Sequence, residues 1–415
     1  MRSTRLHWFG CIALGAMVAI SVPGYARVNH DGNARSRTCT CASWAGSLSD
    51  ENSVLPGHDR VPPETFNHQT VRQIVRLSLG GDSLQVKVSN LFGHQPVVFS
   101  GVHVAKSVGQ SGIDLASDHA VTFNRGQDSV TVPGGAAVTS DPVAMPVAPL
   151  AKIAISMYFA HATPMPTIHE LSRQTTYIAA GNQLSTASLA GPVADQRQSY
   201  YGLGLVETSS KEMGKVVVLF GDSITDGQHS TIDAAKRYPD QLDDRLKAAG
   251  FTRIGIVNAG ISGNRWLHDV WGPSGTSRFK RDVLDVAGVT STIILLGIND
   301  IGFSSQPVTA AQITRSMSTA ISAAKAKGIK VFMGTLLPYK GASYYSAAGE
   351  AKREAVNQWI RSNKNIDGVV DFDRLMQSPA DPLTINPVYN SGDDLHPNDA
   401  GYAAMAAAID LATLQ

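Results

Sequence analysis

The sequence predicts an α/β fold, a parallel sheet wound with helices, preceded by an all-β region of sandwich or jelly-roll type. Two patterns and one number predict it. Beyond residue 206, short apolar runs alternate with helical stretches. Ahead of that point the apolar residues recur with period two. A chain of 415 residues also exceeds one typical core, so two domains are expected.

The alternating strands come first. Val75, Leu77 and Leu79 alternate with Arg76 and Ser78, and Leu84, Val86 and Val88 with Gln85 and Lys87. Ile153, Ile155, Met157 and Phe159 repeat the pattern, and Gly80-Gly81-Asp82 and Pro133-Gly134-Gly135 supply turns between such runs. No amphipathic helix interrupts them, so residues 44–205 are expected to form antiparallel sheets. The runs beyond are Val216–Phe220, Ile254–Val257, Thr292–Leu296, Val331–Thr335 and Val369–Phe372. Between them Tyr238, Leu242 and Leu246 share one helical face, as do Ile313, Met317 and Ile321. Residues 206–415 are therefore expected to form the α/β domain, with a junction near Thr208-Ser209-Ser210-Lys211-Glu212.

The amino terminus reads as an export signal over residues 1–26. Arg2 and Arg5 give the positive start, and the apolar run Cys11–Val22 is short for a bilayer span. Gly24-Tyr25-Ala26 places small residues where a signal peptidase reads them. The expectation is a secreted or periplasmic protein without stable membrane insertion. Residues 27–43 are polar and are expected to be a flexible arm carrying Cys39 and Cys41 as thiols. A net charge of +1 with no charged block argues against nucleic acid as a partner.

Candidate chemistry lies at strand ends. Ser223 follows the run Val216–Phe220 within Gly221-Asp222-Ser223-Ile224-Thr225, at the carboxyl edge where open α/β sheets put their ligands. Asp393-Asp394-Leu395-His396-Pro397 supplies a carboxylate and an imidazole three residues apart. Serine, carboxylate and histidine are the parts of a nucleophilic hydrolase, because a serine hydroxyl needs an adjacent base to attack at neutral pH. The histidines show no His-x-x-x-His pairing, so no metal or cofactor is expected.

Four ordered blocks together resemble the SGNH, or GDSL, hydrolases: Gly221–Thr225, Asn258–Arg265, Gly297-Ile298-Asn299-Asp300 and Asp393–Pro397. The resemblance covers roughly residues 214–412 and implies a flavodoxin-like three-layer fold. It implies Ser223 as nucleophile, His396 as base and Asp393 as the orienting acid. Asp394 is the rival for that last role, and the Asp-x-x-His spacing of the family favours Asp393. It further implies an oxyanion hole formed by Ser223 and Gly263 backbone N–H groups and the Asn299 amide, with Gly260 the rival glycine. Ser223-Ile224-Thr225 lacks the glycine of an α/β-hydrolase elbow, which agrees with this family. The wider context is similar to secreted arylesterases or acylhydrolases associated with xylan breakdown, in which a β-rich region precedes the hydrolase.

The resemblance thus implies a serine esterase for short, chiefly acetyl, esters, with a small ester or an acylated polysaccharide as substrate. Arg265, Trp266 and Trp271 follow Gly263 and are candidate pocket residues; core packing is the competing role for the tryptophans. His229 is expected at the surface, and Asp300 is expected to bond local backbone. One rival is a lipase or broad acylhydrolase for longer chains, which needs an apolar trough. Another is a carbohydrate-binding protein with a vestigial hydrolase, which the single tryptophan of the β region, Trp44, argues against.

Overall fold

The computed structural model describes residues 38–51, 63–189, 195–303 and 307–415. The expected signal segment and residues 27–37 of the expected arm lie outside them. Thr38–Gln415 form one compact unit.

Five parallel strands make the second half, all from the expected apolar runs. Ile254–Gly260, Lys215–Gly221, Val289–Leu295, Lys330–Gly334 and Gly368–Val370 lie side by side in that spatial order. In chain order this is 2-1-3-4-5, so the winding reverses beside Lys215–Gly221. Helices connect the successive strands. Tyr238–Ala248 packs with Asp399–Ala407, and Ala310–Ala326 with Ala347–Ser362. Val216, Val217, Val218, Leu219 and Phe220 are all buried, the uniform burial of a strand covered on both sides.

The first half is antiparallel. One sheet runs Cys39–Ala45, Leu203–Ser210, Ser83–Asn90, Ala136–Thr139. A larger one is centred on Gln69–Arg76, Lys152–Phe159 and Gly101–Val108. Alternate residues of both, among them Leu84, Val86, Val206, Val71, Val104, Ile153 and Ile155, fill one core.

Two expectations change. Cys39–Ala45 is a strand and not part of a loose arm, because it pairs antiparallel with Leu203–Ser210. Cys41 and Ala42 are buried against the parallel sheet, and Ala42 N–H donates to Ala287 at 2.9 Å. Cys39 and Cys41 are unpaired among the described residues, and burial pushes the Cys41 thiol up. The strand Leu203–Ser210 also runs through the point expected as a domain junction.

The β region covers the edge strand Ile254–Gly260. Ile256 N–H donates to Ser78 Oγ at 2.6 Å, so a ladder donor that would otherwise face solvent is used. Gly255 allows the approach, since a Cβ there would lie 2.6 Å from Leu79 Cγ. Further along, Asp233 accepts from Thr175 N at 2.6 Å and Thr175 Oγ1 at 2.7 Å, which fastens the loop after the short helix Ser223–Asp226.

A buried arginine closes the carboxyl edge. The Arg278 side chain is fully covered. It donates to Gly221 O at 2.7 Å, Ala259 O at 2.8 Å and Asn264 Oδ1 at 2.9 Å. It also pairs with Asp282 at 3.0 Å and lies over the Phe220 ring at 4.0 Å. Burial lowers its pKa to about 10, still far above neutrality. Arg278→Met should strand two strand-end carbonyls and unpair a buried network, costing about 3–5 kcal/mol. Urea unfolding at pH 7 measures this; a loss below about 1 kcal/mol would contradict the role given to Arg278.

Candidate active site

Gly221 ends the strand Lys215–Gly221 where a side chain cannot fit. A Cβ there would lie 2.0 Å from Thr225 Oγ1 and 2.5 Å from Leu295 O. Asp222 then caps the four-residue helix Ser223–Asp226 by accepting from Ile224 N at 3.1 Å. Burial pushes the Asp222 carboxyl up to about 7. Gly227 ends the turn at φ 101°. Ser223 is thereby held on a tight turn at the sheet edge.

Ser223 Oγ lies 2.7 Å from His396 Nε2, and His396 Nδ1 lies 2.6 Å from Asp393 Oδ2. Asp393 Oδ1 accepts from Ser391 Oγ, Leu395 N and His396 N at 3.1, 3.0 and 2.8 Å. Partial burial alone would raise the Asp393 pKa. The imidazole and backbone donors outweigh it and hold the carboxyl well below the usual range. Asp393 is therefore charged at neutral pH and fixes the imidazole with Nδ1–H toward itself and Nε2 toward the serine. Asp394, the rival acid, turns away at φ 61° and accepts from Asn390 Nδ2 at 2.6 Å.

The three expected oxyanion donors follow three adjacent strands. The backbone N–H groups of Ser223 and Gly263 make no hydrogen bond among the described residues. The rival Gly260 N–H is engaged, donating to Asn258 Oδ1 at 2.9 Å. Asn299 is buried and its amide is fixed at both ends. Tyr344 donates its hydroxyl to Oδ1 at 3.2 Å, and Nδ2 donates to Asn264 O at 3.1 Å. That leaves one Nδ2–H for a ligand. Asn264 is pinned in turn, donating to Trp271 O at 3.0 Å and Pro273 O at 2.9 Å.

The candidate pocket residues divide. Trp266 is fully buried, packs on Phe220 and donates Nε1–H to Leu296 O at 2.9 Å; it belongs to the core and not to a pocket. Trp271 lies against Gly263, where a Cβ would come within 2.4 Å of its ring. It continues into Phe303 and Tyr344, with centroids 4.8 and 5.2 Å apart. Arg265 sits over Phe303 at 4.6 Å. Asp300 accepts from Trp266 N at 2.8 Å and Leu267 N at 3.2 Å, so it bonds backbone as expected, but that of the loop after Ile254–Gly260 and not its own.

His229 is exposed, as expected, yet its Nε2 lies 3.2 Å from Asp393 Oδ2, a contact with no signal in the sequence. His229, Asp393 and His396 offer three ligand atoms within 4.8 Å of one another. The 2.6 Å between His396 Nδ1 and Asp393 Oδ2 is a hydrogen bond. Zinc bonds of about 2.0–2.1 Å in tetrahedral array would hold ligand atoms roughly 3.3 Å apart.

Residues 219–404 match the model of the GDSL-like lipase/acylhydrolase family. Comparison with curated proteins returns no match. Among solved structures, the lipase/acylhydrolase from Enterococcus faecalis is 21% identical over 47% of this chain and 92% of its own, with a TM-score of 0.39. The M. smegmatis aryl esterase is 19% identical over 47% and 96%, TM-score 0.38. Est24, a carbohydrate acetylesterase from Sinorhizobium meliloti, is 16% identical over 46% and 94%, TM-score 0.37. The family match falls within the α/β half of the chain. The protein is a serine ester hydrolase.

Asn299→Ala should lower kcat on an aryl acetate about 100- to 1000-fold, as loss of one oxyanion donor does, with Tm close to that of the parent. A kcat loss under about 10-fold would remove Asn299 from the oxyanion site.

Proposed function

We propose that this protein is an exported esterase that removes short acyl groups, chiefly acetyl, through an acyl-enzyme on Ser223. The observation that carries the reading is the unbroken hydrogen-bonded line from Ser223 Oγ through His396 to Asp393, beside two backbone N–H groups that have no partner among the described residues. His396 takes the serine proton as Oγ attacks the ester carbonyl. Asp393 stabilises the imidazolium that results. The oxyanion is received by Ser223 N–H, Gly263 N–H and the free Asn299 Nδ2–H. The imidazolium returns its proton to the departing alcohol, leaving the acyl group on Ser223. Water, activated by the same imidazole, then releases the acid.

Short acyl chains suit the ring of Trp271 set directly against Gly263, which leaves little room beside the expected oxyanion position. A sugar alcohol suits the aromatic run Trp271, Phe303 and Tyr344, whose faces can pack on a pyranose. The association with xylan rests on the sequence resemblance. Export rests on Arg2, Arg5, the run Cys11–Val22 and Gly24-Tyr25-Ala26.

Acetate release from acetylated xylan, with Ser223→Ala as the blank, tests the reading. Serine-dependent release is the expected result. Release undiminished in Ser223→Ala would overturn the mechanism, and activity confined to aryl or long-chain esters would overturn the substrate class.

A further inference from the structure

From the β region, His169 reaches the nucleophile helix. Its residue lies in the short strand Thr167–His169, and the ring is almost wholly buried. His169 Nδ1 lies 2.9 Å from the backbone carbonyl of Ser47, and Nε2 lies 3.0 Å from Asp226 Oδ1. A carbonyl and a carboxylate both only accept. Each ring nitrogen must therefore carry a hydrogen, and a ring with two N–H groups is an imidazolium.

Asp226, its partner, is the last residue of the nucleophile helix and is also buried. The other carboxylate oxygen, Oδ2, accepts from Ser262 N at 3.1 Å and from Ser262 Oγ at 2.9 Å. Ser262 immediately precedes Gly263, which stands at φ 73° with its N–H unpartnered. One carboxylate therefore joins the serine turn, the oxyanion loop and the β region.

We propose that His169 is a positioning residue, held as an imidazolium, that fixes the oxyanion loop through Asp226 and Ser262. The proposal rests on the serine esterase reading above and assigns the β region a part in it. Without the imidazolium, Asp226 is a buried carboxylate short of a donor. It can then rotate to recover one and release Ser262. Gly263 N–H loses its aim, and the oxyanion is less well received, while substrate contacts away from the carbonyl persist.

The charged surroundings agree with this protonation state. Burial alone would lower the His169 pKa, but the Asp226 charge and the hydrogen bonds to Asp226 and Ser47 outweigh it, and the net shift is upward. Asp50 and Glu170 line the same small cavity as His169 and Asp226. Arg237 opposes the positive ring from the helix side, and Tyr200 stacks on it at 6.3 Å. A raised value means that the interaction is complete below the ordinary histidine range of about 6.5 and is lost as pH rises through the folded value.

The test is steady-state kinetics on an aryl acetate for His169→Ala, His169→Gln and Ser262→Ala in the full-length chain. The expected result is a kcat at least about 10-fold lower in His169→Ala with KM within about twofold, since the lost stabilisation belongs to the transition state. His169→Gln, which restores a donor to Asp226, should recover part of it. Ser262→Ala should lower kcat in the same way, and the double variant should show less than the product of the two losses. Labelling of Ser223 to completion by a fluorophosphonate is measured in parallel. Labelled His169→Ala with the parent kcat would overturn the positioning role, as would a pure KM effect. If His169→Ala does not fold, Ser262→Ala decides alone: the parent kcat in that variant overturns the proposal. Failure of the parent itself to label at Ser223 would instead overturn the esterase reading on which the proposal stands.

Discussion

A fully covered guanidinium holds the catalytic edge of this protein together. Arg278 is covered from solvent and donates to carbonyls at the ends of two neighbouring parallel strands, Gly221 O and Ala259 O, and to the side chain of Asn264. Gly221 leads into the serine turn. Asn264 follows Gly263 and bonds Asn299. The serine turn and the loop that carries Gly263 thus share one planar cation whose fork fixes their spacing. Oxyanion stabilisation depends on donors set in place before charge develops, and such a buried network supplies that order.

The β region extends the same logic from the other side. It covers the edge strand Ile254–Gly260 through Ser78, grips the loop around Asp233 through Thr175, and meets the nucleophile helix through His169. Its core is its own, but His169 and Thr175 bond the serine turn and the loop that follows it. A free-standing hydrolase half would expose an edge strand and leave Asp226 without its imidazole.

Much of the α/β half was legible because its signals are local. Five apolar runs bounded by turns marked the five strands, and the blocks around Ser223, Gly263, Asn299 and His396 each sit at one strand end or loop. The antiparallel strands showed in the alternation at Val75–Leu79, Leu84–Val88 and Ile153–Phe159. What could not be read depends on distant partners. Residues 39–43 looked like the end of an arm because they acquire burial only by pairing with Leu203–Ser210 and packing on the parallel sheet. Trp266 and Trp271 are five residues apart with the same side chain, yet one fills the core and the other borders Gly263. Arg278, His169 and His229 carry no motif, and their roles arise only when carbonyls and carboxylates from elsewhere in the chain converge on them.

The central claim is that acyl transfer proceeds through Ser223. Rapid quenching during turnover of an ester whose acyl-enzyme hydrolyses slowly, followed by mass spectrometry of the digested protein, measures this directly. The account predicts one acyl group, carried on the peptide that contains Ser223. Steady turnover with no acylated peptide, or with the acyl group on a different residue, would contradict it.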